Sequence, residues 1–248
     1  MLDITSPDVL IYIIAGALMG GFINGLASFG TALFTLGFWL QIMPPLQAVS
    51  MILVVSVVTG IQGFWVVRKT IFQFPRRIMR YVLPSFFGIP LGLYSLAFIN
   101  AEMLKLIVGG FMSSYGVYIL ITRKLPSLAK EYVAIDSTIG FLGGFLGGLA
   151  SLSGAIPSVW LSLHKWPKAE IRSVLQVYNL TVLSITCISL AIAGTYNYQS
   201  VKILMMAIPI SIFGAQIGLF CFKILDDTQF RITLISLMFI SGFLIFLL

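Results

Sequence analysis

Hydroxyls and glycines recur in the same order at two places in the chain: GGFINGLASFGTA starts at Gly20 and GGFLGGLASLSGA at Gly143. Ser28, Gly30 and Thr31 fall in the first stretch, and Ser151, Ser153 and Gly154 in the second. A turn of this composition that opens a helix presents amide N–H groups without intrahelical partners and about half a positive charge from the aligned peptide dipoles. Glycine lets a ligand approach the backbone closely, and hydroxyls at the spacing of a helix N-cap add donors. The chemistry open to these residues is the holding of a small anion. The plainer role is close helix packing, which the spacing of Gly20, Gly21, Gly143 and Gly144 suggests for those four.

Other polar residues stand in apolar surroundings. Asn24, Gln176 and Asn179 either line a cavity or hydrogen-bond between helices. Arg172 either reaches the anion or serves as one of the charges that orient the chain in a membrane. Pro84, Pro90, Pro157 and Pro209 can kink apolar helices. The only histidine, His164, sits beside Lys165 and Trp166 and reads as interfacial, as do Tyr196 and Tyr198. Cys187 and Cys221 lie in apolar runs, which points to neither a disulfide framework nor a metal site, and no cofactor is expected. The chain has no Ser/His/Asp set, paired acids, HExxH or phosphate loop, so an enzyme is not expected. No Asp or Glu is expected inside an apolar span, which removes the usual proton or sodium coupling group and leaves export by uniport.

The elements that must position these residues follow from composition. Of 248 residues, 59% are hydrophobic and 9% charged, against roughly 25% charged in soluble domains. The few charges separate apolar runs of about 20 residues, long enough to cross a hydrocarbon core of roughly 30 Å. Stretches such as 9–20 and 232–248 are apolar on all sides and lack the alternation of a barrel strand. The fold class is therefore an all-α polytopic membrane protein. Its net charge of +7 reads as a topology signal, with no nucleic-acid partner. Residues 1–8 carry two aspartates and no basic flank, so they are expected to stay on the mature chain.

Residues 20–50 align without gaps on 143–173, with 11 identities in 31 positions. After a shift of three residues, SFFGIPLGL from Ser85 matches SIFGAQIGL from Ser211, and Gly116 matches Gly242. The chain thus divides into an N-terminal repeat, 1–125, and a C-terminal repeat, 126–248, forming one membrane domain. Each half holds a Gly-rich stretch, a short apolar piece (31–43 or 155–163) and three ordinary spans. That makes about eight full transmembrane helices plus two broken or re-entrant half-helices.

If the short pieces are ignored, the best orientation puts nine Lys/Arg inside and six outside. If each piece returns the chain, thirteen lie inside and only Lys105 and Lys202 outside. The second count gives the stronger positive-inside signal, so both termini are expected outside the cytoplasm and the second half inverted relative to the first. Thirteen helical residues reach only about 20 Å, so turns 25–31 and 148–154 are expected to face each other near the midplane.

The paired Gly/Ser stretches, Pro44-Pro45-Leu-Gln-Ala after the first and Pro157 after the second, resemble the TauE/SafE family of sulfite and organosulfonate exporters. The likeness extends to the basic loop 68–80 and to Gly-x-x-x-Gly at Gly88/Gly92 and Gly214/Gly218. Where the family's turn commonly reads Gly-x-Gly-Gly-Gly, this chain has Ser28-Phe-Gly-Thr-Ala and Ser151-Leu-Ser-Gly-Ala. The resemblance implies a permease of two inverted halves, often a homodimer, in a bacterial or archaeal plasma membrane. Its implied partners are lipid and a small sulfur-containing anion. A membrane scaffold or assembly subunit and an anion channel are the alternatives for a chain of this shape.

Overall fold

The computed structural model describes residues 6–96, 98, 132–230, 232, 233, 236 and 237. The termini, Lys105, Gly116, Arg123, Lys124, Lys130, Arg231 and Gly242, together with the boundary between the repeats, lie outside the described residues. Eight helices are described: α1 (Pro7–Ala27), α2 (Thr31–Trp39), α3 (Pro45–Ile71), α4 (Pro75–Leu96), α5 (Val133–Ala150), α6 (Ala155–Ser162), α7 (Lys168–Ile192) and α8 (Tyr198–Ile224). Five are long and apolar enough to cross a membrane: α1, residues Leu46–Ile71 of α3, α5, α7 and α8. The further spans expected after residue 98 and beyond residue 230 lie outside the description. Helix α4 has 22 residues but carries Arg76, Arg77 and Arg80 near its start.

Local chemistry sets the helix starts. Pro7 occupies the first turn of α1 beside Asp8, where a missing N–H costs nothing and an acid complements the dipole. Helices α3 and α7 both follow an extended proline, Pro44 and Pro167, which the repeat alignment superposes. The side chain of Asn197 caps α8 by accepting the Ser200 N–H at 2.8 Å.

Helix α1 packs along α8 and α4 along α5, at a separation only glycine permits. A Cβ at Gly25 would overlap the Ala215 carbonyl oxygen, and one at Gly92 the Phe145 carbonyl oxygen. Gly21 faces the Ser211 backbone and Gly144 that of Ser85, as expected for small-residue contacts. Gly20 and Gly143 instead admit Thr35 and Tyr178. Helices α3 and α7 pack on each other at the centre, with α4 against α7 and α3 against α8.

The two short helices run back beside the starts of the long ones. Trp39 Nε1 at the end of α2 donates to the Ile13 carbonyl at 3.4 Å, and Trp160 Nε1 in α6 donates to Asp136 Oδ1 at 2.7 Å. The Tyr196 hydroxyl donates to the Ser50 carbonyl at 3.0 Å, placing the α7–α8 loop at the start of α3. At the opposite end, Lys168 N–H donates to Asp227 Oδ1 at 2.9 Å, joining the start of α7 to the end of α8. Arg68, Lys69, Arg76, Arg77, Arg80, Lys165, Lys168, Arg172 and Lys223 all fall toward this second, basic end, whereas Lys202 lies toward the other.

The expectation that no carboxylate lies within a span is corrected. Asp136 stands in the first turn of α5 with 1% exposure, accepting hydrogen bonds from the Tyr81 hydroxyl at 2.6 Å and from Trp160, with Arg80 at 3.8 Å. Glu170, in the first turn of α7, is buried and paired with Arg77. Both stand in the first turn of a helix, next to a charged segment end. Their burial follows from α4, α5, α6 and α7 converging there, and the pairing offsets what the buried charges would otherwise cost. His164 is likewise enclosed, its ring centroid 5.2 Å from that of Trp160 and 4.5 Å from that of Trp166.

Candidate functional site

Helices α1 and α5 end on the same unusual conformation. Ser28 and Ser151 have φ values of 67° and 60°, and they alone among described non-glycine residues are left-handed. Each N–H closes the helix, to Asn24 O at 2.8 Å and to Gly147 O at 3.0 Å. This corrects the expected N-cap role: both serines are C-caps, while Gly30 and Gly154 occupy the N-cap positions of α2 and α6 with no side-chain cap. Gly30, at φ 87°, adopts a backbone that a Cβ would strain. The serine hydroxyls are therefore free of capping, and both Oγ atoms are buried without a hydrogen-bond partner among the described residues.

A non-glycine residue in this region costs of order 1–3 kcal/mol, and such outliers concentrate at functional sites. Here both serines border one cavity, together with Asn24, Gly30, Thr31, Ser153, Gly154, Gln176 and Asn179. Its room, about 20 Å³ for the centre of a water-sized sphere, is enough for roughly one water. The described conformation is thus closed around the centre. No acidic or basic side chain among the described residues lines it.

Asn179 ties the two turns together. Its Nδ2 donates to the Ser28 carbonyl at 2.6 Å, and its Oδ1 accepts from Ser153 Oγ at 2.7 Å. Asn24 reaches α3, donating to Thr59 Oγ1 at 2.8 Å and to the Ser56 carbonyl at 3.2 Å. Gln176 Nε2 donates to the Gly60 carbonyl at 2.8 Å. Each amide therefore bonds between elements while bordering the cavity, so the two roles open at the sequence level coexist. Ser56 and Thr59 were not anticipated; carrying the repeat offset forward superposes Ser56 on Asn179, the signal that would have found it.

The half-helices differ as donors. The Thr31, Ala32 and Leu33 amides of α2 make no hydrogen bond among the described residues. In α6 the Ala155 N–H is taken by the Leu152 carbonyl at 3.2 Å and Pro157 has none, leaving Ile156. Proline is tolerated in this first turn without a kink because no helical bond is lost there.

Arg172 is fully buried and does not line the cavity. Its two terminal nitrogens donate to the Gly25 carbonyl at 2.6 Å and the Leu26 carbonyl at 2.7 Å, and its guanidinium lies 4.2 Å from the Phe222 ring centre. A cation on the orphan carbonyls of a helix C-terminus is favourable for the dipole and for hydrogen bonding alike. It holds the end of α1 in place directly before the Ser28 turn.

The sequence profile of the sulfite exporter TauE/SafE family matches residues 12–245. The chain belongs to the TauE/SafE family. No curated protein and no solved structure gives a significant match. This TauE/SafE protein is accordingly a transmembrane transporter, of a family of sulfite exporters, and its apolar helices are its membrane-embedded body. A transporter family agrees with the absence of enzymatic motifs in the sequence.

Proposed function

We propose that this TauE/SafE protein carries a small sulfur-containing anion, such as sulfite or an organosulfonate, across the plasma membrane and holds it midway between the two Gly/Ser turns. The observation that carries this reading is the pair of buried, unpartnered hydroxyls, Ser28 and Ser151, at superposable positions on one cavity. The free amides of α2 supply further donors, and Ser153, Thr31 and Gly154 complete the wall. Asn24, Gln176 and Asn179 position the turns. Arg172 acts through the end of α1, adding a positive field behind the first turn without touching the ligand.

Removing one hydroxyl from a desolvated oxyanion costs roughly 1–3 kcal/mol, or about five- to 150-fold in affinity. Ser28→Ala and Ser151→Ala are each expected to weaken sulfite binding and flux in proteoliposomes by a factor in that range. Parental binding and flux in both variants place the site elsewhere, and a complete lack of substrate-dependent flux in the unaltered protein favours a scaffold.

The packing supports two inverted halves at 1–125 and 126–248, because exchanging α1 to α4 with α5 to α8 turns the α1–α8 contact into α5–α4 and leaves α3–α7 in place. With the basic end in the cytoplasm, both termini lie outside. Single cysteines at Asp3 and Arg77 are then expected to react with an impermeant reagent from opposite sides of the membrane. Reaction of both from one side excludes the inverted arrangement.

A further inference from the structure

The two ends of the α3–α7 pair, on either side of the central cavity, carry different side chains. Toward the end away from the arginines, Val49, Leu53, Leu183 and Leu190 form an apolar cluster of α3 and α7, separate from the main core. Leu183 borders the cavity, and Leu93, which packs on the cluster, stands beside the second turn, its amide facing Gly148. The cluster thus reaches the cavity through Leu183 and the last turn of α5 through Leu93.

The repeat offset that superposes Ser28 on Ser151 carries Val49 onto Arg172, Leu53 onto Gln176, Gly60 onto Leu183 and Val67 onto Leu190. The corresponding place on the basic side is therefore occupied by a buried guanidinium, an amide, a glycine whose carbonyl that amide holds, and a single aliphatic side chain, Val67. One fold supplies both places, so the contrast comes from the side chains and not from the backbone.

We propose that Val49, Leu53, Leu183 and Leu190 are the gate that closes the cavity toward the face opposite the basic end, in a transporter whose approach from the basic side is polar. The inference rests on the anion-carrier reading given above for what passes the gate. Four aliphatic side chains offer an anion no hydrogen bond and exclude the water it travels with, the way hydrophobic constrictions gate by dewetting. On the other side Gln176 borders the cavity and Arg172 holds its charge on the end of α1 behind the first turn, so those corresponding positions are polar. An anion drawn in from the basic face reaches the turns and goes no further until α3 and α7 part.

The test uses full-length protein with Cys187→Ala and Cys221→Ala and a single cysteine at Leu152→Cys, a cavity residue in the second turn. A negatively charged, membrane-impermeant methanethiosulfonate is applied from each side of oriented vesicles. Leu53→Gln, which gives the cluster its partner's side chain, and Leu190→Ser are each expected to speed labelling from the face opposite the basic end at least tenfold and to leave the rate from the basic face unchanged. The unchanged rate shows that the fold is intact. Unaltered labelling from both faces, or equal acceleration from both, overturns the gate. Labelling reports water access and needs no transported anion, so one-sided acceleration in a protein whose Ser28→Ala and Ser151→Ala variants behave like the parent keeps the gate and removes the anion site.

Discussion

Asn179→Asp is expected to lower sulfite binding and flux by more than a hundredfold while leaving a folded, monodisperse protein. The substitution is isosteric, and one carboxylate oxygen still accepts the Ser153 hydroxyl. The other replaces the Nδ2 donor and confronts the Ser28 carbonyl, a buried acceptor that then has no partner. Losing that bond costs roughly 1–3 kcal/mol. The larger effect is charge: a carboxylate about 5 Å from a bound anion, at an effective dielectric near 20, repels it by roughly 3 kcal/mol, more than a hundredfold on its own. Asn179→Ser, which is neutral, should lose less. Isothermal titration with sulfite and flux in proteoliposomes measure both variants; an Asn179→Asp protein with parental affinity rules out an anion between the turns.

Reversing the membrane potential is expected to reverse the direction of net anion movement. A cell interior negative by 100 mV favours export of each negative charge by about 2.3 kcal/mol, which sustains an outward gradient of nearly fifty-fold. The uniport expectation first rested on an absence of carboxylates from the spans, and Asp136 and Glu170 remove that ground. A narrower ground replaces it. Asp136 is engaged by Tyr81, Trp160 and Arg80, Glu170 by Arg77, and neither borders the cavity, whose wall holds no acidic or basic side chain among the described residues. The measurement is flux in vesicles whose potential is set by a potassium gradient and valinomycin, at equal pH and sodium. Flux that ignores the potential and follows a proton gradient assigns coupling to one of those carboxylates and refutes uniport.

Much of this molecule is legible in its sequence because the relevant physics is local or cumulative. An apolar fraction of 59% leaves no fold but membrane helices. The internal repeat located both turns and the short helices, and the structure ends the first at Trp39, four residues before its expected limit, and the second at Ser162, one residue before. The family resemblance, carried by the same stretches, is what the profile match over residues 12–245 shows. Tertiary structure decided how each polar group is used. Ser28 and Ser151 close the helices before them instead of opening those after, because α1 and α5 continue as far as their glycines pack on α8 and α4. Arg172 meets the carbonyls of Gly25 and Leu26, nearly 150 positions earlier in the chain, and Asn179 meets Ser28 across a similar distance. Hydropathy and spacing report which side chains leave water and how a segment coils. They carry no record of which distant helix face will stand opposite, and in a membrane the partner of a buried donor is set by that meeting of faces alone.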